Sequence, residues 1–161
     1  MSQTAKTGFD LWLVPMTGKP TPFLATPANE SLASFSPDGR FVAYVSDESG
    51  TNEFYVTSFP GPGGKWQISS GGAEFGGWLG DGREVSYWTE EGKAFAVPVR
   101  AIGPVLEVGA PRPLFGAKAL RVVTGALTAD GKRFLAAVPV EGDASVALTL
   151  VTNWAAGLEE R

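Results

Sequence analysis

Three Asp-Gly pairs constrain this chain more than any other feature: Asp38-Gly39, Asp81-Gly82 and Asp130-Gly131 stand 43 and 49 residues apart. Their surroundings match. Three positions before each Asp stand Phe35, Trp78 and Leu127; four after stand Val42, Val85 and Phe134; six after stand Tyr44, Tyr87 and Ala136. Columns that agree in chemistry at this period mark a repeated unit the size of one small sheet. In Ser36-Pro37-Asp38-Gly39 the proline presets φ for the second position of a turn, Asp suits the third, and Gly accepts the left-handed conformation of a bulge. The motif is a device for reversing a strand. The later copies keep Asp-Gly and replace Pro37 by Gly80 and Ala129, which is expected to loosen the turn without changing its logic.

The strand after the first turn, "RFVAYVS", sets Phe41, Ala43 and Val45 on one side and Val42 and Tyr44 on the other. Both faces are apolar, so both must be buried. A sheet flanked by two neighbours meets that need, as a propeller blade does. Reading outward from the three anchors predicts thirteen strands and no helix. The fold class is therefore all-β: β-propeller blades of four antiparallel strands, about three and a quarter of them, a partial propeller. The half blade covers residues 9–26, the full blades 31–70 and 73–116, and a three-strand blade 120–154. Residues 1–8 read as a disordered leader and 155–161 as a C-terminal tail. With 21 Gly and 12 Pro in 161 residues, the composition suits short strands and tight turns.

From Phe35 to Tyr55 the order is an aromatic residue, Ser-Pro-Asp-Gly, an apolar strand, Ser46-Asp47, the turn glycine Gly50 and an aromatic-rich third strand. This pattern resembles the WD-like repeat of TolB-type β-propellers. The next repeat departs from it at Leu79-Gly80 and shortens the following loop to Glu90-Glu91-Gly92; the last has Thr128-Ala129 before its Asp. The end, "LTLVTNWAAGLEER", is similar to the C-terminal propeller of bacterial kinase-linked sensor proteins. A kinase's glycine-rich loop and His-containing catalytic loop are both missing. What the resemblance implies is a non-catalytic module for protein or peptide interaction. It also implies a periplasmic or extracytoplasmic place if the parent is of that kind; the residues themselves leave the compartment unknown.

Charge narrows the partners. The net charge is −4 and the thirteen basic residues are scattered, so neither nucleic acid nor an anionic membrane surface is an expected partner. With no His and no Cys, the chain alone cannot build a Ser-His-Asp triad, a thiolate nucleophile or a His- or Cys-ligated zinc site. No enzyme activity, cofactor or metal is expected. "MSQTAKTGFD" has no apolar core of a signal peptide, and no uninterrupted apolar run approaches a membrane span, although a longer parent could still be exported.

The candidate residues are few. "SDESGTNE" (Ser46 to Glu53) is rich in oxygen donors but lacks EF-hand spacing, and reads as a solvated turn. Glu90-Glu91 and Glu159-Glu160 are adjacent and point apart, unlike an acid/base couple. Gly61-Pro62-Gly63-Gly64 lacks the spacing of a phosphate loop. Trp12, Trp66, Trp78, Trp88 and Trp154 fall in predicted strands and read as packing between blades. Phe35, Trp78 and Trp154 are the candidates for a channel or interface. Trp78 stands out because its strand type lies nearest a propeller's axis and "GGAEFGG" before it leaves open backbone around it.

Rings need at least about four blades, and an open end exposes apolar surface and unpaired edges. The chain is thus expected to be part of a larger sensor or scaffold protein, completing its ring by self-association as a homo-oligomer, with a dimer favoured. The alternative is the substrate-gating propeller of a prolyl-oligopeptidase-like hydrolase, whose Gly-x-Ser-x-Gly elbow does not occur here.

Overall fold

Segments with apolar residues at every position pair into sheets, and each sheet must then be covered on both sides. The computed structural model describes residues 8–61, 63–116, 124–127, 133–138 and 148–151. The described residues form four antiparallel sheets and no helix. β1 (Leu11–Leu13) and β2 (Thr21–Leu24) make the first. The second is a meander of β3 (Glu30–Phe35), β4 (Phe41–Ser46), β5 (Glu53–Ser58) and β6 (Lys65–Gln67). The third holds β7 (Phe75–Leu79), β8 (Glu84–Trp88), β9 (Lys93–Ile102), β10 (Val105–Val108) and β11 (Arg112–Gly116). The fourth orders β12 (Thr124–Leu127), β13 (Phe134–Ala137) and β14 (Leu148–Val151).

These sheets are blades. All six residues of β4 are buried, as are the first five of β5, so neither face meets solvent. One face, with Phe41, Ala43, Val45, Phe54 and Val56, packs on Val85, Tyr87, Val97 and Val99 of the third sheet. The third sheet's opposite face, with Trp88, Ala94, Ala96 and Leu114, packs on Val138, just beyond β13. Each fully buried Val or Phe contributes on the order of 1.5–3 kcal/mol, so the interfaces between sheets carry much of the stability.

Register adds aromatic pairs. Tyr44 lies opposite Tyr55, Tyr87 opposite Phe95, and Phe75 opposite Trp88. Each pair stacks, with centroids 5.7, 5.2 and 4.9 Å apart.

Two details differ from the sequence reading. The single fourth strand expected around Glu107 to Phe115 is divided, β10 pairing with the last four residues of β9 and β11 with its first four. The break falls at Gly109-Ala110-Pro111, where Pro cannot continue a ladder as a donor. It is this division that raises the described strands to fourteen. Gly80 also does more than loosen its turn. Its φ is +46°, a conformation proline cannot adopt, so the two turns differ in type while each keeps the bond from glycine N–H to the carbonyl three residues back.

The first strand of the third sheet comes close to the second. A Cβ on Gly76 would lie 2.6 Å from the Ser86 carbonyl oxygen and 2.7 Å from the Phe54 ring. Within "GGAEFGG" only Gly76 is filled in this way; at Gly77, beside Trp78, a Cβ would meet just the Ser34 hydroxyl at 3.9 Å. Gly39 is constrained differently: its φ is +70°, and a Cβ there would meet nothing within 4 Å. Gly76→Ala should therefore cost about 2–3 kcal/mol through steric displacement. Gly39→Ala should cost about 1 kcal/mol through backbone strain alone, and Gly39→Asn should recover most of that loss. Urea unfolding of the three variants checks this; equal losses at both sites would contradict the blade-to-blade contact.

Candidate binding groove

The meander puts alternate connections at opposite ends of the sheets. At one end the two Asp-Gly turns lie against each other. Asp38 accepts from the Ser36 hydroxyl at 2.7 Å and from the Arg40 side chain at 2.7 Å, while Gly39 N–H donates to the Ser36 carbonyl at 2.8 Å. The Ser36 hydroxyl, and then Arg40, hold the Asp38 carboxyl down at a pKa of about 2. In the next turn Arg83 N–H donates to Asp81, and Gly82, at φ +83°, sits where a Cβ would come within 2.9 Å of Pro37. Arg40 reaches the Gly103 carbonyl at 3.4 Å. Only a void of about 40 Å³ remains between the turns, bordered by Phe41, Trp78 and Leu106.

Trp78 belongs to this closed end. Its indole N–H donates to the Ser34 carbonyl at 3.3 Å, and its ring lies 6.4 Å from that of Phe41. Phe35, in the matching column, is half exposed and meets Phe59 edge-on at 5.0 Å; Phe59 in turn meets Phe23 of β2 at 5.5 Å. The Trp78 indole thus reaches the residue before Phe35, while the Phe35 ring turns to Phe59. Trp66 packs on Phe41 and Trp88 on Phe75, whereas Trp12 is exposed and departs from the expected packing role. Asp130, Gly131 and Trp154 lie outside the described residues.

At the other end the second and third sheets part. The loops 47–52, 68–74 and 89–92 enclose a groove of about 860 Å³. Tyr87 and Phe95 line it from the third sheet and Ala73 from the 68–74 loop, and Asp47, Glu74, Glu90, Glu91 and Lys93 stand around it. Its size falls within the range of about 300–1,000 Å³ that ligand sites occupy.

The loop that walls it is held from below. Glu53, only 4% exposed at the head of β5, accepts from the Ser69 hydroxyl, from Gly71 N–H at 2.8 Å and from Gly72 N–H at 3.0 Å. The Ser69 hydroxyl is also 2.8 Å from Phe54 N–H. Gly71 and Gly72 have φ of +97° and +103°, and nothing lies within 4 Å of where their Cβ atoms would be, so this wall is bare backbone. Burial, and then the charge of Glu53, push the Tyr87 phenol above its ordinary value.

The oxygen-rich loop Ser46 to Glu53 does not converge on a point. Asp47 accepts from Asn29 N–H at 2.8 Å and from the Asn29 amide at 2.5 Å, which lowers its pKa; Ser49 turns to the Thr51 carbonyl; Glu53 turns inward. Among the described residues no cluster of three or more acidic side chains could hold a metal ion. Sequence reasoning placed Glu53 on a solvated turn and missed its role. The signal it lacked was the partner, Ser69-Ser70-Gly71-Gly72, which lies in the next connection but one.

No protein-family model and no curated protein matches this sequence. Among solved structures, TolB from Acinetobacter baumannii is similar at 17% identity with a TM-score of 0.44, over 84% of this chain and 44% of that one. The chain thus spans less than half the length of that protein.

Because Glu53 has three donors to satisfy, Glu53→Ala should cost about 2–4 kcal/mol. It should also speed hydrogen exchange at the Gly71 and Gly72 amides before global unfolding. Unchanged exchange there would show that the loop is held by something else.

Proposed function

We propose that this chain is a non-catalytic β-propeller module of the TolB-like kind that binds a protein or peptide at the groove between its second and third blades. The observation that carries this reading is the asymmetry of the two ends: turns that close on each other at one, and a loop-walled groove fixed by Glu53 at the other. Rigid sheets that present loops around a cleft are a common basis for recognition. The groove has bare glycine backbone along one wall, which lets another main chain approach closely.

The test is selection of peptides from a displayed random library on the whole chain, followed by titration of an enriched peptide. Thr51 is an exposed groove residue, and Thr51→Trp should fill the cleft and weaken the peptide about tenfold or more. Enriched peptides whose affinity ignores Thr51→Trp would contradict the groove as the site.

The reading extends to self-association through the first blade. β1 pairs only with β2 among the described residues, and Phe9, Trp12, Val14 and Met16 beside that edge are exposed. A second copy would cover both the unpaired edge and the apolar side chains. Light scattering should give twice the monomer mass, and Trp12→Glu with Val14→Glu should return it to the monomer; a monomer in dilute buffer without these changes would contradict the proposal.

A further inference from the structure

We infer that the groove takes an extended polypeptide segment carrying lysine or arginine; this rests on the reading of the groove as a peptide site. Four carboxylates stand around it, Asp47, Glu74, Glu90 and Glu91, against one cation, Lys93, which is already 2.5 Å from Glu91. Glu74 and Glu90 are exposed and form no ion pair with another described side chain. They sit on different connections, so their charges are spread along the groove rather than focused on one ion.

A buried carboxyl lies underneath. Glu53 is buried beneath the 69–72 turn, where its three donors are a hydroxyl and two amides and no cation pairs with it among the described residues. It fixes the glycine wall against which the segment would lie.

The lining suits long basic side chains. Phe95, half-buried and stacked on the buried Tyr87 with centroids 5.2 Å apart, offers apolar surface for an aliphatic stem, and a charged head can remain at the carboxylate rim. A nucleic acid would be repelled by the same rim. A small metal ion would find no convergent ligand set among the described residues. The bare wall at Gly71 and Gly72 admits a main chain as well as side chains.

The experiment is fluorescence anisotropy on the full chain with four probes: a labelled nonapeptide alternating Lys and Ala, the same peptide with Gln for Lys, the same with Glu for Lys, and spermidine as competitor. The lysine peptide should bind most tightly, weaken as salt rises, and be displaced poorly by spermidine. Glu74→Gln with Glu90→Gln, both exposed, should leave unfolding unchanged and weaken the lysine peptide about fivefold to tenfold. If the Gln peptide binds as well and Thr51→Trp still blocks it, the groove is a peptide site without a charge requirement and this inference falls alone. If no probe responds to Thr51→Trp, the groove reading falls with it. Spermidine displacing the peptide at equal concentration would make this a polyamine site and overturn the polypeptide assignment.

Discussion

A strand that is apolar on both faces cannot be satisfied by one layer. β4 is the clearest case, with Phe41 to Ser46 buried on both sides, and the rest of the architecture follows from covering it. Its odd-numbered face is closed by the third sheet, whose own far side, with Leu114, then packs on Val138. Side-by-side stacking of small antiparallel sheets is the arrangement that repeats this solution. The close approach of Gly76 to Phe54 and the bond from Trp78 to the Ser34 carbonyl fix how far apart two neighbours sit.

Stacking fixes the spacing of the sheets but leaves the two ends free to differ. The two Asp-Gly turns lie against each other, so Pro37 meets Gly82 and the space between them nearly vanishes. The connections 47–52, 68–74 and 89–92 lie at the opposite end, and there the same two sheets stand apart. Glu53 converts that gap from slack into a shaped wall, because a carboxylate with three donors holds the 69–72 turn in one place. The fold therefore closes the sheets together at one end and leaves a loop-walled groove at the other.

The all-β class and the blade-like sheets were legible in the sequence because their signals are local. Alternation in Phe41 to Ser46, the Asp-Gly pairs and the aromatic columns each act within a few residues. The divided fourth strand was less legible, since β10 and β11 differ from one strand only by the interruption at Gly109-Ala110-Pro111. The left-handed Gly80 was hidden for another reason: glycine allows many conformations, so its presence at a turn does not say which one is used. The groove was not legible at all. It depends on Glu53 meeting Ser69, Gly71 and Gly72, and on Tyr87 meeting Phe95, pairings that arise only once sheets are placed beside each other. Trp78 was singled out for its column, and its contacts with Phe41 and Ser34 belong to the interface between blades rather than to the groove.

The central claim is that neighbouring sheets stack face to face with the Phe54 ring over Gly76. Proton NMR of the folded chain tests it directly. The account predicts strong nuclear Overhauser contacts between the Phe54 ring protons and the Gly76 α-protons, with those α-protons shifted by the ring current. Random-coil Gly76 shifts and no contact to Phe54, in a chain whose β4–β5 contacts are intact, would contradict it.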